Sequence, residues 1–161
     1  MLLFNEGRAY LGEVSEIVLP KLSRKMEEWK GGGMSRPVKL DMGGDLLEFE
    51  ATFGGPMFDI ISQYGAKSLT GVYMRFVGSW QNDDAGTADV VEVIVRGRFE
   101  EIDFGNAKPG EKSDFKIKMP LAYYRLDCNG TTLIEIDPIN MVEIVDGVDL
   151  LEAQRTALGL F

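Results

Sequence analysis

No histidine occurs in the 161 residues. The commonest general base and the commonest metal ligand are therefore both missing, which argues against an enzyme and leaves no catalytic residue, cofactor-binding residue or metal ligand to name. Cys128 is the only cysteine, so no intrachain disulfide can form, and no histidine is present to activate its thiol. Serine nucleophiles lack a base for the same reason. Nowhere do about 18 uncharged apolar residues follow one another, and the opening Met1–Glu6 has no positively charged n-region; the expectation is a soluble, unexported protein that does not itself bind membrane. Basic residues are scarce, 17 against 26 acidic, for a net charge of −9. A nucleic-acid groove rests on phosphate neutralisation by Lys and Arg, so DNA should be repelled. A surface past which DNA slides without sticking would nevertheless want this sign of charge.

What the chain does have is alternation of period two. With 45% apolar residues, its length suits one domain with a sizeable core. The run VVEVIVRGRFEEID over 90–103 reads as a strand with Gly97 as a candidate bulge. At about 3.3 Å per residue it is far longer than the usual strand of about 5 or 6 residues, so it must bend or project. Lys108-Pro109-Gly110-Glu111 has turn chemistry, after which DFKIKMPLAYYRLD over 114–127 returns as a second long strand. Pro120 within it removes a ladder donor and is expected at an edge or bulge. Asn129-Gly130 is the strongest short hairpin signal and joins residues 123–126 to 132–136. Residues 8–20, 45–53 and 71–80 read as further strands. Residues 56–64 (PMFDIISQY) read as a short helix stopped by Gly65, and a second helix opens at Asp149 with Glu152 in capping-box spacing and stops at Gly159. Leu158, Leu160 and Phe161 then make an apolar C-terminus suited to packing or assembly. The polar stretch 81–89 (QNDDAGTAD) reads as a loop.

Candidate sites are few. Gly31-Gly32-Gly33 is followed by neither Lys-Ser/Thr nor a helical pattern, so it is no phosphate-binding loop. It reads instead as the tip of a hairpin joining 21–29 to 35–41, with Met26, Trp29, Lys30 and Met34 around it. Two readings stay open there: an arm that leaves its own domain, and a surface loop with Trp29 folded onto the core. Asn82-Asp83-Asp84-Ala85-Gly86 lacks calcium-loop spacing. Glu100, Glu101 and Asp103 offer an acid pair for a hydrolase, as any acidic strand would. Tyr123-Tyr124 could stack bases, but adjacent strand residues face opposite ways and the charge is wrong.

Three stretches, GRAYLGEVSEIVLPKLSRKMEEWKGGGMSRPVKLDMG (7–43), RGRFEEIDFGNAKPGEKSDFKIKMPLAYYRL (96–126) and EIDPINMVEIVDGVDLLEAQRTALGL (135–160), together resemble the major tail tube protein of contractile-tailed bacteriophages. Residues 63–88 carry little of the resemblance. It implies a mainly β fold of two packed antiparallel sheets with a flanking helix, shared with the tubes of R-type tailocins and type VI secretion systems. It also implies a structural subunit that forms homohexameric rings around an inner β-barrel and stacks into a virion tail tube. The implied partners are the sheath protein, a baseplate initiator, a tape measure protein in the lumen, and DNA that passes through without specific binding. On this resemblance the chain is one tail-tube domain over 1–161 with 21–41 as an assembly arm, in which Met26, Trp29, Lys30, Gly31, Gly32, Gly33 and Met34 make contacts between subunits or rings. A tailocin tube is the nearest alternative, and a monomeric β-sandwich binding module is the reading from outside the class.

Overall fold

The computed structural model describes residues 1–160. In chain order the elements are β1 (Leu2–Asn5), β2 (Arg8–Ala9), β3 (Val14–Val18), β4 (Arg24–Trp29), β5 (Val38–Gly44), β6 (Glu48–Phe53), α1 (Phe58–Ile61), β7 (Val72–Asn82), β8 (Thr87–Gly97), β9 (Glu101–Asp103), β10 (Phe115–Cys128), β11 (Thr131–Asp137), β12 (Val142–Val145), β13 (Val148–Asp149) and α2 (Glu152–Ala157). Two antiparallel sheets share β10. The larger runs β13-β12-β11-β10-β8-β7-β1-β2, and the smaller runs β3-β6-β10-β9.

The sharing explains how so long a strand is tolerated. The first half of β10 pairs with β6 and β9, from Phe115↔Phe53 to Pro120↔Glu48. The second half pairs with β8 and β11, from Leu121↔Gly97 onward. The register slips between Leu121 and Tyr123, so the bulge expected at Gly97 lies opposite it, on β10, immediately after Pro120. Gly97 is needed there, because a Cβ would strike the Pro120 carbonyl oxygen. The run 90–103, expected as one strand, is broken over 98–100 into β8 and β9, at the same crossing between sheets. The run 8–20 is likewise split into β2 and β3, around Gly12 with φ +76°.

The core fills the space between the two sheets. Leu3, Phe49, Phe53, Ile60, Met74, Val95, Phe115, Ile117 and Met119 are all buried, drawn from one face of each sheet and from α1. Phe53 packs between Tyr10 and Phe115, with ring centroids 5.2 and 6.0 Å away, edge-on to Tyr10 as ring quadrupoles favour and tilted against Phe115. Each such side chain contributes about 1.5–3 kcal/mol by leaving water. Tyr10, although buried, hydrogen-bonds Asp59 of α1; burial and this carboxylate together push its phenol well above the ordinary tyrosine range. Asn5, also buried, exchanges side-chain hydrogen bonds with Gln63, at 3.1 and 2.6 Å. The two contacts tie α1 and the turn after it to the β1–β2 hairpin and the residue that follows it.

Three local expectations are corrected. Residues 81–89 are not a loop: β7 and β8 continue pairing through Trp80↔Asp89, Gln81↔Ala88 and Asn82↔Thr87, and the turn is closed by the Asn82 side chain, which accepts from the Asp84 amide at 3.0 Å. The helix expected over 56–64 has only Phe58–Ile61 as α-helix, continued by turns to Gly65. The capping box at Asp149 does not form. The N-cap is Leu151, and Asp149 instead accepts from the Leu151 amide at 3.1 Å and pairs with Arg155.

Candidate assembly surface

Strands β4 and β5 form a two-stranded sheet that pairs with no other strand among the described residues. Every residue of β5 and all but Arg24 of β4 are exposed. The hairpin is slightly displaced from its expected span, with pairing from Arg24 to Trp29 and from Val38 to Gly44 and a register shift between Arg24 and Met26. Glu27↔Leu40 and Trp29↔Val38 stand opposite each other, and so do Met26↔Asp41 and Glu28↔Lys39. Directly opposed residues share a face and neighbours along a strand alternate. Trp29, Val38, Leu40 and Met42 therefore make one mainly apolar face, with Glu27 its one charge, while Met26, Glu28, Lys39 and Asp41 make a charged one. The apolar face has no cover among the described residues: Trp29 is 53% exposed and Leu40 45%.

The tip explains its glycines one at a time. The Trp29 indole lies over Gly31, so that a Cβ there would collide with the ring. Gly33 has φ +82°, a conformation that side chains disfavour. Gly32 meets nothing within 4 Å and has ordinary φ, so neither constraint applies to it. The Met34 sulfur lies 3.2 Å from the Gly31 nitrogen, and Lys30 is exposed. Trp29 thus folds onto its own hairpin tip and not onto the core.

At its base the hairpin is anchored by Arg24, which pairs with Asp41 across the hairpin at 3.1 Å and with Glu143 of β12. Beside this anchor an open groove of about 580 Å³ is lined by Leu22, Leu46, Leu121, Ile134, Ile136 and Val145, among others. No local pattern announces it, because its walls come from residues more than a hundred positions apart. The apolar C-terminus is exposed at Leu158 and Leu160 after Gly159 turns the chain with φ +73°; Phe161 lies outside the described residues.

Several charges on the outer face of the larger sheet are paired. Arg75 donates to Glu92 at 2.7 Å and Arg125 to Asp127 at 2.7 Å, while Tyr123 donates to Glu135 at 3.3 Å. Arg75 also stacks on Phe4 and Arg96 on Tyr73, each guanidinium 5.0 Å from the ring centre. Burial works to raise the Asp127 carboxyl, but hydrogen bonds from Arg125 and Thr132 outweigh it and hold the group below its usual range. Tyr123 and Tyr124 do face opposite ways: Tyr124 is buried. Of the acid candidates, Asp103 is engaged by the Gly105 amide at 2.8 Å, on the exposed edge strand β9. Among the described residues no group of three or more His, Cys, Asp or Glu is placed to hold a metal ion.

A well-packed β body bearing an uncovered amphipathic hairpin defines a structural subunit that is completed by association with others. The chain belongs to the phage tail tube protein FII family, whose profile matches residues 1–159. It is 45% identical over 163 residues to the tail tube protein of Escherichia phage P2, covering 99% of this chain and 95% of that one. It is 35% identical to the major tail tube protein of Serratia phage KSP20, covering 98% and 92%. In fold it resembles a chain of the sheath/tube terminator of an extracellular contractile injection system in its extended state, with a TM-score of 0.58, 10% identity and coverage of 78% and 91%. It also resembles a chain of the sheath-tube complex of such a system, with a TM-score of 0.57, 12% identity and coverage of 78% and 86%. The chain is thus a structural component of a phage tail tube.

Proposed function

We propose that this chain forms homohexameric rings that stack into the hollow inner tube of a contractile tail, surrounded by a sheath and serving as the conduit for DNA. The observation that carries the reading is the β4–β5 hairpin, an exposed apolar face on a chain whose body already has a complete core. Met26, Trp29, Lys30, the three glycines and Met34 act in this arm as contacts between subunits or rings, and Leu158 and Leu160 add a second contact. Pairing of open sheet edges from copy to copy closes a continuous inner barrel and removes the edges that a lone copy exposes. A heterologous axial contact does not close on itself, so rings continue into a tube.

The long strands β7, β8 and β10 line the lumen on this reading. On their outer face Arg75 and Arg125 are each engaged by a carboxylate, which leaves DNA few free cations to hold, so it passes without specific binding. The sheath protein outside, the tape measure protein within, and a baseplate initiator below are the other partners, with assembly in the host cytoplasm. The fold shared with an extracellular contractile injection system supports a tailocin-type tube as the second reading. Negative-stain electron microscopy across a concentration series, with mass from light scattering, tests the proposal. Hollow rings or tubes with sixfold end views are expected; rings of another symmetry would overturn it.

A further inference from the structure

Two apolar surfaces stay open in the same chain: the outer face of the hairpin and the groove at its base. They do not cover each other. Trp29 lies five residues along β4 from Arg24, which at about 3.3 Å per residue places the tip roughly 16 Å beyond the groove's rim. Their charges are opposite as well. Residues 21–44 carry six basic and three acidic side chains, a net +3 in a chain of net −9, whereas the stretch between Arg125 and Arg155 holds seven acidic side chains and no basic one. That stretch supplies β11, β12 and β13, and with them one wall of the groove, which is apolar but for Glu143. The contact between Arg24 and Glu143 already shows a basic hairpin residue meeting this wall within one chain.

We infer that the groove between the hairpin base and β10–β12 receives the tip of a second copy's hairpin, with Trp29 and Leu40 entering the apolar floor and Lys30 and Lys39 meeting the acidic stretch that surrounds it. The inference rests on the arm reading above and names what the arm binds. Each copy then presents one knob and one hole. The contact is heterologous and propagates from copy to copy. Apolar burial holds the contact, and the rim charges select its partner and speed its formation.

The test uses the full chain under conditions in which the unsubstituted protein forms tubes. Leu46 lines the groove and is exposed, so Leu46→Lys and Leu46→Glu remove the same apolar group and differ in sign. The lysine variant is expected to raise the concentration needed for assembly at least about tenfold over the glutamate variant, a difference of about 1.4 kcal/mol per contact. Val145→Trp, which fills the groove from β12, should abolish tubes and leave a folded monomer. Mixed with an arm-deficient Trp29→Ser, Leu40→Ser chain, it should give one-to-one complexes that grow no further. If Trp29→Ser, Leu40→Ser assembles normally, the arm reading itself fails, and this inference with it. If that variant is inert while the Leu46 pair and Val145→Trp all assemble like the unsubstituted protein, the arm reading stands and the groove is not its receptor. If deleting Leu160 and Phe161 reproduces the Val145→Trp defect and Val145→Trp does not complement the arm-deficient chain, the C-terminal tail is the occupant and the inference is overturned.

Discussion

The body and the β4–β5 hairpin are made of the same element, antiparallel strands, and differ in what holds them. In the body, strands alternate between a buried face and an exposed one, and β10 alone is packed into two sheets. In the hairpin both faces are wet, and the strands are joined by their own ladder, a glycine-bearing tip and one arginine at the base. A two-stranded hairpin by itself is marginal in water. On the proposed reading the difference separates two kinds of information: body residues determine whether a chain folds, and hairpin residues determine what it joins.

The comparison can be broken most forcefully from the body. Phe115 touches both Phe53 and Phe104, and Phe115→Ala should cost about 3–5 kcal/mol of folding stability, read by chemical denaturation, and remove tubes for want of folded subunits. The paired substitution Trp29→Ser, Leu40→Ser should also remove tubes, while changing the stability of the monomer by no more than about 0.5 kcal/mol, as surface changes usually do. A large loss of stability there would mean that the hairpin belongs to the body after all.

Arg24→Ala should cost at most about 1 kcal/mol, since the pair is partly exposed and screened, yet it should slow tube growth measured by light scattering because the arm loses its fixed direction. At the tip, Gly33→Ala forces a side chain into positive φ at a cost of about 1–2 kcal/mol and should delay assembly more than Gly32→Ala, which meets open space. Equal delays would show that the tip is remodelled on contact.

The smallest effect concerns α2. The Arg155 side chain hydrogen-bonds Asp149 and lowers its carboxyl below the ordinary value. A group whose folded pKa is depressed adds stability that is present above its unfolded pKa, near 4, and is lost as pH falls through the folded value. Hydrogen-exchange protection of α2 should therefore drop below about pH 4 while the amides of β10 in the core keep theirs.

Much of this was legible in the sequence because it is local. Asn129-Gly130 encodes its turn in two residues, and the alternation of 114–127 encodes a strand. The hairpin before residue 44 was visible through its glycines and flanking alternation, and the family through three long stretches of residues. What escaped was of two kinds. The extension of β7 and β8 through 79–90 is polar because it projects from the body, so its strands lack the apolar alternation by which a strand is recognised; Asn82 at the turn start and Gly86 at its end, with β-branched Thr87 and Val90 beyond, were the available signals. The groove, the crossing of β10 between sheets and the Arg24 anchor depend on residues far apart in the chain, and no local pattern carries them. Gly32 illustrates the limit within a single motif, since three identical glycines serve three different conditions.

The most direct test is electron microscopy of Trp29→Ser, Leu40→Ser beside the unsubstituted protein, with melting followed on the same samples. A folded variant with unchanged melting and no rings or tubes is the predicted result. Normal tubes from that variant would contradict the account, because assembly would then owe nothing to the hairpin's apolar face.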